Sequence, residues 1–206
     1  MTPRPPCTPR PVVLSGRHVR LEPLTASHLE PLLQAGSDAT IWRWMPRPYF
    51  ADPQLGAAWI DEALAEMDAG RALVFATCAL SETGARPRPV GSTRFFDLRP
   101  EHRSLEIGWT WIGTPWQRTA LNTEAKLLML DHAFEELGAL RVQFKTDSRN
   151  QRSRAAMERI GCQFEGVLRN HMLLPDGGQR HSAFYSVIAS DWPRTKAGIQ
   201  ELLARG

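Results

Sequence analysis

Apolar residues recur along the chain with two different spacings, one typical of strands and one typical of helices, and these spacings divide the chain into elements. Apolar residues at every second position of 105–111 predict a strand. From 125 to 137 they share one face of a helix, which Gly138 ends. Alternation returns in 140–146, so a second strand follows. A strand, a helix and a strand in this order predict a crossover unit, normally right-handed.

The same periods assign faces to the polar residues of this unit. On the central helix, the charged side chains are expected on the outer, polar face: Lys126, Asp131, Glu135 and Glu136. On the strand before it, alternation places Glu106, Gly108 and Thr110 on one face.

Comparable patterns predict the other elements. Further strands are expected at 12–14, 18–22, 72–80, 90–98, 162–174 and 183–189, and further helices at 25–34, 52–67 and 150–160. The sum is a mixed α/β domain of the α+β type, with about seven strands and four helices, over residues 12–194. Residues 1–11, five of them proline, predict a disordered tail, and 195–206 predict a tail or a short helix.

Aromatic residues crowd an irregular stretch between the first two predicted helices. The segment 40–51 contains Trp42, Trp44, Tyr49 and Phe50 outside any clear period. Two interpretations remain open: this loop lines a pocket, or it plugs the core.

Composition and charge exclude several classes of protein. The 206 residues carry 25 basic and 22 acidic side chains, a net charge of +3, and no basic block that would predict a nucleic-acid partner. Apolar residues make up 42%, enough for a folded core, and the longest apolar run, 73–80, is too short to cross a membrane. Three dispersed cysteines favour a reducing cytoplasm. Neither these nor the six histidines have metal-site spacing, so no metal is expected.

The segment 116–125 offers the clearest candidate chemistry. It lies between a strand and the central helix, where the first helical N–H groups are free and the helix dipole is positive. Such a loop can bind an anion, and Arg118 adds a charged donor. An ordinary strand-to-helix loop is the alternative.

Several segments, in register and in the right order, together resemble one family. They are LEIGW at 105–109, TEA at 123–125, Asn150 and Ser153 ahead of ERIG at 158–161, EGVLR at 165–169, YSV at 185–187 ahead of Asp191 and Trp192, and LEPL at 21–24. With these segments the chain resembles the GCN5-related N-acetyltransferase (GNAT) superfamily. Within that superfamily it is most similar to the branch of RimJ/RimL-type acetyltransferases of ribosomal-protein N-termini.

The resemblance implies the GNAT fold and acetyl-CoA as the co-substrate. In that fold the fourth and fifth strands of the family, here the strand bearing Glu106 and the strand 141–147, splay apart. The pantetheine arm of acetyl-CoA enters the gap and pairs with backbone as an extra strand would. Asn150 matches the asparagine whose amide bonds this arm, and a plain helix cap is its alternative role.

The resemblance also implies that a loop of pattern Gln/Arg-x-x-Gly-x-Gly/Ala holds the pyrophosphate through its N–H groups. Gln117 matches the first position, whereas Ala120 replaces the usual glycine and Asn122 the usual glycine or alanine. Ala120 must then keep a negative φ, and Asn122 can cap the helix. The residues implied in binding acetyl-CoA are Trp111, Ile112, Gln117, Arg118, Thr119, Ala120, Leu121, Asn122, Thr123, Asn150 and Ser153.

The implied reaction is direct attack of an acceptor amine on the thioester, without an acyl-enzyme. Backbone N–H at Trp111 or Ile112 would polarise the carbonyl oxygen. Glu106 is the candidate for orienting the water that takes the amine proton, and a structural hydrogen bond is its alternative role. Met157 stands where many members of the superfamily have a tyrosine, so Ser153 is the candidate donor to the leaving thiolate.

Other side chains near the implied site have two interpretations each. His171 lies near the expected acceptor cleft and could act as a base, or it is an ordinary histidine. Arg152 and Arg154 could meet the 3′-phosphate of coenzyme A, or they solvate a helix face.

The predicted function is therefore an N-acetyltransferase acting on a primary amine, either a protein N-terminus or a small molecule. The alternative is an acyl-CoA-binding sensor with little catalysis. Met157, Met172 and the glycine-poor loop motivate that alternative, because each departs from the family pattern. A monomer and a homodimer both remain open.

Overall fold

The computed structural model describes residues 7–81 and 84–205, and in these ranges it contains eight strands and five α-helices. The strands are β1 (Leu14–Ser15), β2 (Val19–Pro23), β3 (Leu73–Ala79), β4 (Arg88–Arg99), β5 (Ser104–Ile112), β6 (Arg141–Asp147), β7 (Gln163–Leu173) and β8 (Gln179–Ile188). The helices are α1 (Leu29–Ala35), α2 (Pro53–Asp68), α3 (Ala120–Asp131), α4 (Gln151–Arg159) and α5 (Trp192–Arg205). The mixed α/β class is confirmed, and the eight strands and five α-helices are close to the predicted totals of about seven strands and four helices.

The eight strands form one sheet in the order β1-β2-β3-β4-β5-β6-β8-β7. Neighbouring strands are antiparallel except β5 and β6, which are parallel and are connected through α3. One apolar core joins the sheet to α3, α4 and α5, and a second joins it to α1 and α2. Because both faces of the sheet are covered, β3 is apolar almost throughout. Within the described ranges, no helix has both the length and the apolar character needed to span a bilayer.

The parallel pair β5–β6 is hydrogen-bonded over a short length. Three residue pairs are in register, and the last of them joins Glu106 to Gln143. Beyond this pair β6 continues to pair with β8 as far as Asp147, and β5 continues to pair with β4 as far as Ile112. The two strands therefore part in the middle of the sheet, which confirms the splay that the resemblance implies.

A β-bulge in β5 reverses the faces expected for the end of this strand. The register with β4 shifts just before Arg94, and Trp109 has a φ of 51°, in the left-handed region. The Trp109 ring lies 4.8 Å from the Arg94 guanidinium on the α2 side of the sheet, whereas the Thr110 hydroxyl contacts Lys126 of α3. The prediction that Thr110 shares a face with Glu106 is therefore wrong, because strict alternation ends at the bulge.

Two residues of the aromatic segment plug the core beneath α1 and α2. Trp42 and Phe50 are buried, and each ring centre lies 4.9 Å from the Trp111 ring on β5. For these two residues the core-plug interpretation is the one observed. Trp44 and Tyr49 are half-buried and leave the pocket interpretation open for the rest of the segment.

Glu124 fastens α3 to the turn between β1 and β2. Its buried carboxylate accepts hydrogen bonds from the backbone N–H groups of Arg17, His18 and Val19 at 2.6 to 3.0 Å. Hydrogen bonds to an ionised acceptor are shorter and stronger than neutral ones. Gly16 leaves the room for this contact, because a Cβ there would overlap the Glu124 carboxylate. Glu124, part of a motif that carries the resemblance, therefore has a structural role.

Both ends of the described chain pack into the domain. Residues 1–6 of the expected tail lie outside the described ranges, but Cys7 is fully buried in the core that includes α3. Its apolar contacts outweigh the preference of the surrounding prolines for an extended, solvated chain. At the other end, α5 begins at Trp192, whose ring stacks on Phe134 at 5.3 Å. Segment 195–206 is therefore helical as far as Arg205.

The three cysteines are buried and form no disulfide. Burial raises the pKa of each thiol, to about 12 for Cys78 and Cys162. A thiol with so high a pKa is a poor nucleophile near neutral pH. This agrees with the interpretation of Cys78 and Cys162 as small core residues, which Cys7 now joins.

Lys126 is buried, although the sequence pattern places it on the outer face of α3. It is 6% exposed, and its Nζ donates to the hydroxyls of Thr93 and Thr110 at 3.0 and 2.8 Å. Burial lowers its pKa to about 7. The expectation is wrong because α3 packs against the sheet on one side and against α5 on another. Part of its polar face, including Lys126, is therefore buried.

We expect Glu124→Gln to lower the free energy of unfolding by about 1 to 3 kcal/mol, because three backbone N–H donors, that of Val19 buried, lose their carboxylate acceptor. Urea unfolding followed by tryptophan fluorescence measures this change. Glu101→Gln is the control at an exposed carboxylate and should change the free energy by less than about 0.5 kcal/mol. A Glu124→Gln protein as stable as the parent would contradict the structural role.

We expect Lys126→Met to stabilise the protein, and to do so more at about pH 7 than at about pH 10. The folded-state pKa of Lys126 is about 7 and the ordinary value is 10.5, so between these values the unfolded chain binds the extra proton. The resulting penalty is fully present below about pH 7 and disappears as the pH rises towards 10.5. The gain near neutral pH is on the order of 2 to 4 kcal/mol.

Urea unfolding at both pH values checks this expectation, and Lys196→Met is the control at a partly exposed lysine. A stability gain that is the same at both pH values would show that the protonation equilibrium of Lys126 does not contribute to the free energy of unfolding.

Candidate active site

The loop between β5 and α3 ends in a capped helix start. α3 begins at Ala120, and the hydroxyl of its N-cap, Thr119, accepts a hydrogen bond from the Leu121 N–H at 3.3 Å. Directly before the cap, Arg118 is exposed and has a φ of 62°. Free N–H groups and a cation therefore occur at one helix end, which favours an anion there.

The two positions where this loop departs from the family pattern behave differently. Ala120 is helical, so it keeps the expected negative φ, and the left-handed conformation falls on Arg118 instead. Asn122 lies inside the first turn, and its Oδ1 is buried without a hydrogen-bond partner in the described ranges. The prediction that Asn122 caps the helix is wrong, because Thr119 has that role.

Gln117 connects the loop to its neighbours. Its side-chain NH₂ donates to the Ile112 carbonyl at 2.8 Å, and its Oε1 accepts from Arg152 of α4 at 2.7 Å. The side chains of Leu121 and Thr123 are buried in the protein. Gln117 therefore holds the loop against β5 and α4. Because the side chains of Leu121 and Thr123 are buried, they are not available to a ligand.

Asn150 caps α4 and keeps its donor group free. Its Oδ1 accepts from the Ser153 N–H at 3.1 Å, and the residue is buried. Neither its NH₂ group nor the hydroxyl of the half-buried Ser153 has a hydrogen-bond partner within the described residues. The two interpretations of Asn150, as a cap and as a ligand group, are therefore compatible because they use different atoms.

Glu106 lies where β5 and β6 part. It is 1% exposed, and its carboxylate accepts from Gln143 at 2.8 Å and from the Lys145 Nζ at 3.1 Å, both on β6. Burial raises the pKa of Glu106, although the Lys145 cation opposes this shift. The structural hydrogen bonds named as its alternative role are present, and its action on a water molecule stays a prediction.

His171 lies on β7 with its Nδ1 3.0 Å from the Ser182 hydroxyl. Burial lowers its pKa, and the nearby Lys145 and Arg180 cations lower it further. Its imidazole is therefore neutral near neutral pH, as a base requires. Its role as a base stays a prediction.

Met157, at the position of the family's tyrosine, is buried in the core. Arg154 binds the Tyr185 hydroxyl at 3.0 Å and the Ser148 carbonyl at 3.2 Å, which is a structural use of its guanidinium. Arg152 is exposed and contacts the loop through Gln117, so of the two arginines it is the one still available to a phosphate.

Arg94 is a buried cation near the gap that the sequence analysis missed. Its guanidinium lies between the rings of Trp59 and Trp109, at 5.0 and 4.8 Å from their centres. Burial lowers its pKa to about 10. The signal in the sequence is a lone cation inside the predicted strand 90–98.

Three potential metal donors lie near one another, away from the gap. Atoms of Glu22, His28 and Cys78 lie within 4.8 Å of one another. However, the His28 Nδ1 accepts the Thr25 backbone N–H at 3.0 Å, which leaves the ring proton on Nε2, 3.6 Å from Glu22. This geometry is that of a helix-capping histidine, because a metal ion would need the lone pair of Nε2.

Two features lie next to each other at the end of β5. One is the N-terminus of α3 with the Arg118 cation, and the other is the part of β5 after Glu106, which does not pair with β6. The first suits a diphosphate, and the second suits a peptide-like arm that pairs with backbone. These residues therefore fit coenzyme A, which joins both chemical groups. Trp111 and Ile112 lie in this stretch, and the role of their N–H groups stays a prediction.

Comparison with known proteins points the same way. Residues 18–163 match the family model described as the acetyltransferase (GNAT) domain. A GCN5-related N-acetyltransferase from Brucella melitensis is 32% identical, with a TM-score of 0.87 over 98% of this chain and 89% of that one. Mycobacterium smegmatis RimJ in complex with CoA-disulfide has the same fold, with a TM-score of 0.78 at 20% identity over 95% and 96% of the two chains.

Among curated proteins, the "Putative ribosomal N-acetyltransferase YdaF" of Bacillus subtilis is 32% identical over 107 residues, 52% of this chain and 57% of YdaF. The matched region spans little more than half the length of the curated relatives. The family model, in contrast, covers most of the chain, and its match includes the strand pair that parts after Glu106. The chain therefore belongs to the GNAT acetyltransferase family.

Proposed function

We propose that this protein transfers the acetyl group of acetyl-CoA to a primary amine, either the N-terminal amine of a protein or a small molecule. The observation that carries the proposal is the parting of β5 and β6 after three residue pairs, beside the N-terminus of α3. Membership of the GNAT family supports acetyl transfer. The relation to YdaF, which is named a putative ribosomal N-acetyltransferase, supports a ribosomal component as one acceptor.

In this proposal the start of α3 holds the diphosphate of acetyl-CoA. Backbone N–H groups of residues 118–120 and 122 donate to it, and the exposed Arg118 guanidinium adds charge-assisted hydrogen bonds. Gln117 and Arg152 keep the loop in place from the side of α4. The left-handed conformation of Arg118 sets the direction in which the loop enters the helix.

The unpaired stretch of β5 receives the pantetheine arm. Its amides can pair with the strand edge that β6 leaves free, as a short added strand would. The free NH₂ group of Asn150 supplies a donor from the side of α4. The Ser153 hydroxyl, one turn into α4, can donate a hydrogen bond to the sulfur.

The acceptor amine then attacks the thioester carbon directly. A C–N bond forms, the C–S bond breaks, and the amine proton passes to a base. Backbone N–H at Trp111 or Ile112 stabilises the negative oxygen that forms. Glu106 orients the water that takes the proton, and the neutral His171 is the second candidate for this step.

Acetyl-CoA is expected to stabilise the protein by about 2.7 kcal/mol at about 100 times its Kd, as one-site linkage requires. Arg118→Gly should weaken binding about tenfold, because it removes a cation from the diphosphate. Glycine accepts the positive φ, so the unbound protein should not lose stability. Thermal shift across a titration of acetyl-CoA measures both effects.

Arg103→Gly is the matched control, because Arg103 also has a positive φ, of 49°, and lies in the turn before β5. Its affinity for acetyl-CoA should equal that of the parent. No thermal shift with the parent protein would contradict the proposed function, and equal affinities for both glycine variants would contradict the role of Arg118.

Free-thiol release from acetyl-CoA, measured against a panel of amines and peptides with free N-termini, tests the catalytic step. We expect Glu106→Gln to reduce turnover about 100-fold, because the general-base pathway loses its carboxylate. Its thermal shift with acetyl-CoA should remain. A variant with full turnover would restrict Glu106 to its structural hydrogen bonds.

The same panel separates catalysis from the sensor alternative. Stabilisation by acetyl-CoA without turnover of any acceptor would favour a sensor, for which the buried Met157 in the tyrosine position is the supporting observation. Three buried, unpaired cysteines support placing the protein in a reducing cytoplasm.

A further inference from the structure

Arg180, on β8, is a buried cation that the proposed reaction does not yet use. The residue is 9% exposed, and its Nε is buried without a hydrogen-bond partner among residues 7–81 and 84–205. A guanidinium is charged at any physiological pH, and holding it out of water without a partner costs stability. The position of Arg180 therefore points to a partner outside the chain.

Three other arginines also have a buried Nε without a hydrogen-bond acceptor, but each has a different partner for its charge. Arg20 pairs with a carboxylate, Arg94 lies between two tryptophan rings, and Arg103 donates to a backbone carbonyl. Arg180 has no such contact within the described residues. It is therefore the arginine of this group whose charge is available.

Arg180 lies on the same face of the sheet as Glu106. Ala183 of β8 packs into the core with α3, α4 and α5, so Arg180, three positions earlier in the strand, points to the opposite face. Phe144 of β6 packs into that core as well, so its neighbour Lys145, which binds the Glu106 carboxylate, also points away from it. Arg180 therefore lies on the side of the sheet opposite α3 and its anion site.

The two carboxylates nearest to Arg180 are already bound to other cations. Asp147 accepts hydrogen bonds from the Arg149 side chain through both oxygens, at 3.0 and 2.8 Å, and Glu106 binds the Lys145 Nζ at 3.1 Å. Both carboxylates raise the pKa of Arg180 against the effect of burial, but in the described ranges neither lies within ion-pair distance of it. Of these five charged groups, Arg180 keeps an uncompensated charge.

The guanidinium of Arg180 is open to a ligand at its outer end. Its Nε is fully buried, but its Nη1 and Nη2 are not, and neither donates a hydrogen bond within the described ranges. Among the described residues, the core beneath α1 and α2 includes no side chain of β6, β7 or β8, so that helix layer leaves this end of the face uncovered. The half-buried Trp44 stands at its edge, with its ring 5.6 Å from the Arg149 guanidinium. A ligand can therefore reach Arg180 from solvent.

His171 connects Arg180 to the proposed chemistry. In the register of β7 and β8, Met172 pairs with Arg180, and the preceding residue, His171, has its Nδ1 3.0 Å from the Ser182 hydroxyl. The charges of Lys145 and Arg180 both act on the His171 imidazole and lower its pKa. An anion bound to Arg180 therefore lies beside a candidate base, on the side of the sheet from which the acceptor amine would enter.

We propose that Arg180 binds a carboxylate that the acceptor carries a few bonds from its amine, an inference that rests on the proposed function. The fork of Nη1 and Nη2 matches the two oxygens of a carboxylate and gives two parallel charge-assisted hydrogen bonds. The acceptor is then either a small amine with a carboxylate or a peptide with an acidic residue among its first two positions. An acceptor with a second cation would instead be repelled by the uncompensated charge.

Matched acceptors that differ only in charge test the proposal. β-Alanine and its amide form a small-molecule pair. Short C-terminally amidated peptides with glutamate or glutamine at the first or second position form peptide pairs. Free-thiol release from acetyl-CoA gives kcat/KM for each acceptor, and the parent should use the carboxylate member of at least one pair about tenfold better. The difference should lie in KM, because the carboxylate is bound equally before and during bond formation.

Arg180→Gln should lower kcat/KM about tenfold for the preferred carboxylate acceptor and leave that of its amide partner unchanged. Arg205→Gln removes an exposed arginine of α5 and is the control for the lost charge, so it should keep the preference. The thermal shift with acetyl-CoA should be the same in both variants, because Arg180 lies on the other side of the sheet from the anion site. A preference that survives in Arg180→Gln would overturn the proposal.

Arg180→Lys is the second variant, and it keeps the test open if Arg180→Gln does not fold. It keeps the charge but loses the fork, so the preference should fall from about tenfold to about threefold. An unchanged preference in this variant also counts against the proposal.

The outcomes for the parent separate this inference from the proposed function. Acetylation of both members of every pair with equal kcat/KM would overturn the inference alone. A thermal shift with acetyl-CoA but no thiol release with any acceptor would favour the sensor and also overturn the inference. If there is neither a thermal shift nor release, the proposed function fails and the inference fails with it.

Discussion

The end of hydrogen bonding between β5 and β6 is the constraint on which the rest of the site depends. The two strands share three residue pairs, and then each keeps only its outer neighbour. The bulge at Trp109 turns the free part of β5 and changes which side chains it presents to each face. Backbone groups left unpaired inside a sheet are unfavourable unless something pairs with them. An extended ligand with amide groups meets that requirement.

The gap separates two environments of different character. On the α2 side, Glu106 and Lys145 form an ion pair, and Arg94 lies between two tryptophan rings. On the α3 side, Lys126 has two hydroxyl partners and no carboxylate partner among residues 7–81 and 84–205. The two faces of the sheet beside the gap therefore differ in their charge pairing. One holds an ion pair and a guanidinium between rings, and the other holds a buried amine bonded to hydroxyls.

Much of this arrangement could be predicted from the sequence because the long elements have strong periods. The strand, helix and strand from 105 to 146 are in their expected order, and the loop from Gln117 to Thr123 lies at the helix start. The failures come from tertiary context. Thr110 changes face at a bulge that no local pattern marks, and Lys126 is covered by a second packing surface of α3. A lone charged residue in an apolar segment is normally assigned to the surface, so such buried cations escape a pattern analysis.

The burial of the three cysteines makes them reporters of opening. They lie in separate parts of the fold: Cys7 in the N-terminal segment, Cys78 in β3, and Cys162 just after α4. An alkylating reagent reacts with a thiol only after the segment around it has opened, because the folded protein shields all three. Mass spectrometry of the labelled peptides therefore orders the opening of the N-terminal segment, of β3 and of the connection between α4 and β7, with no engineered probe.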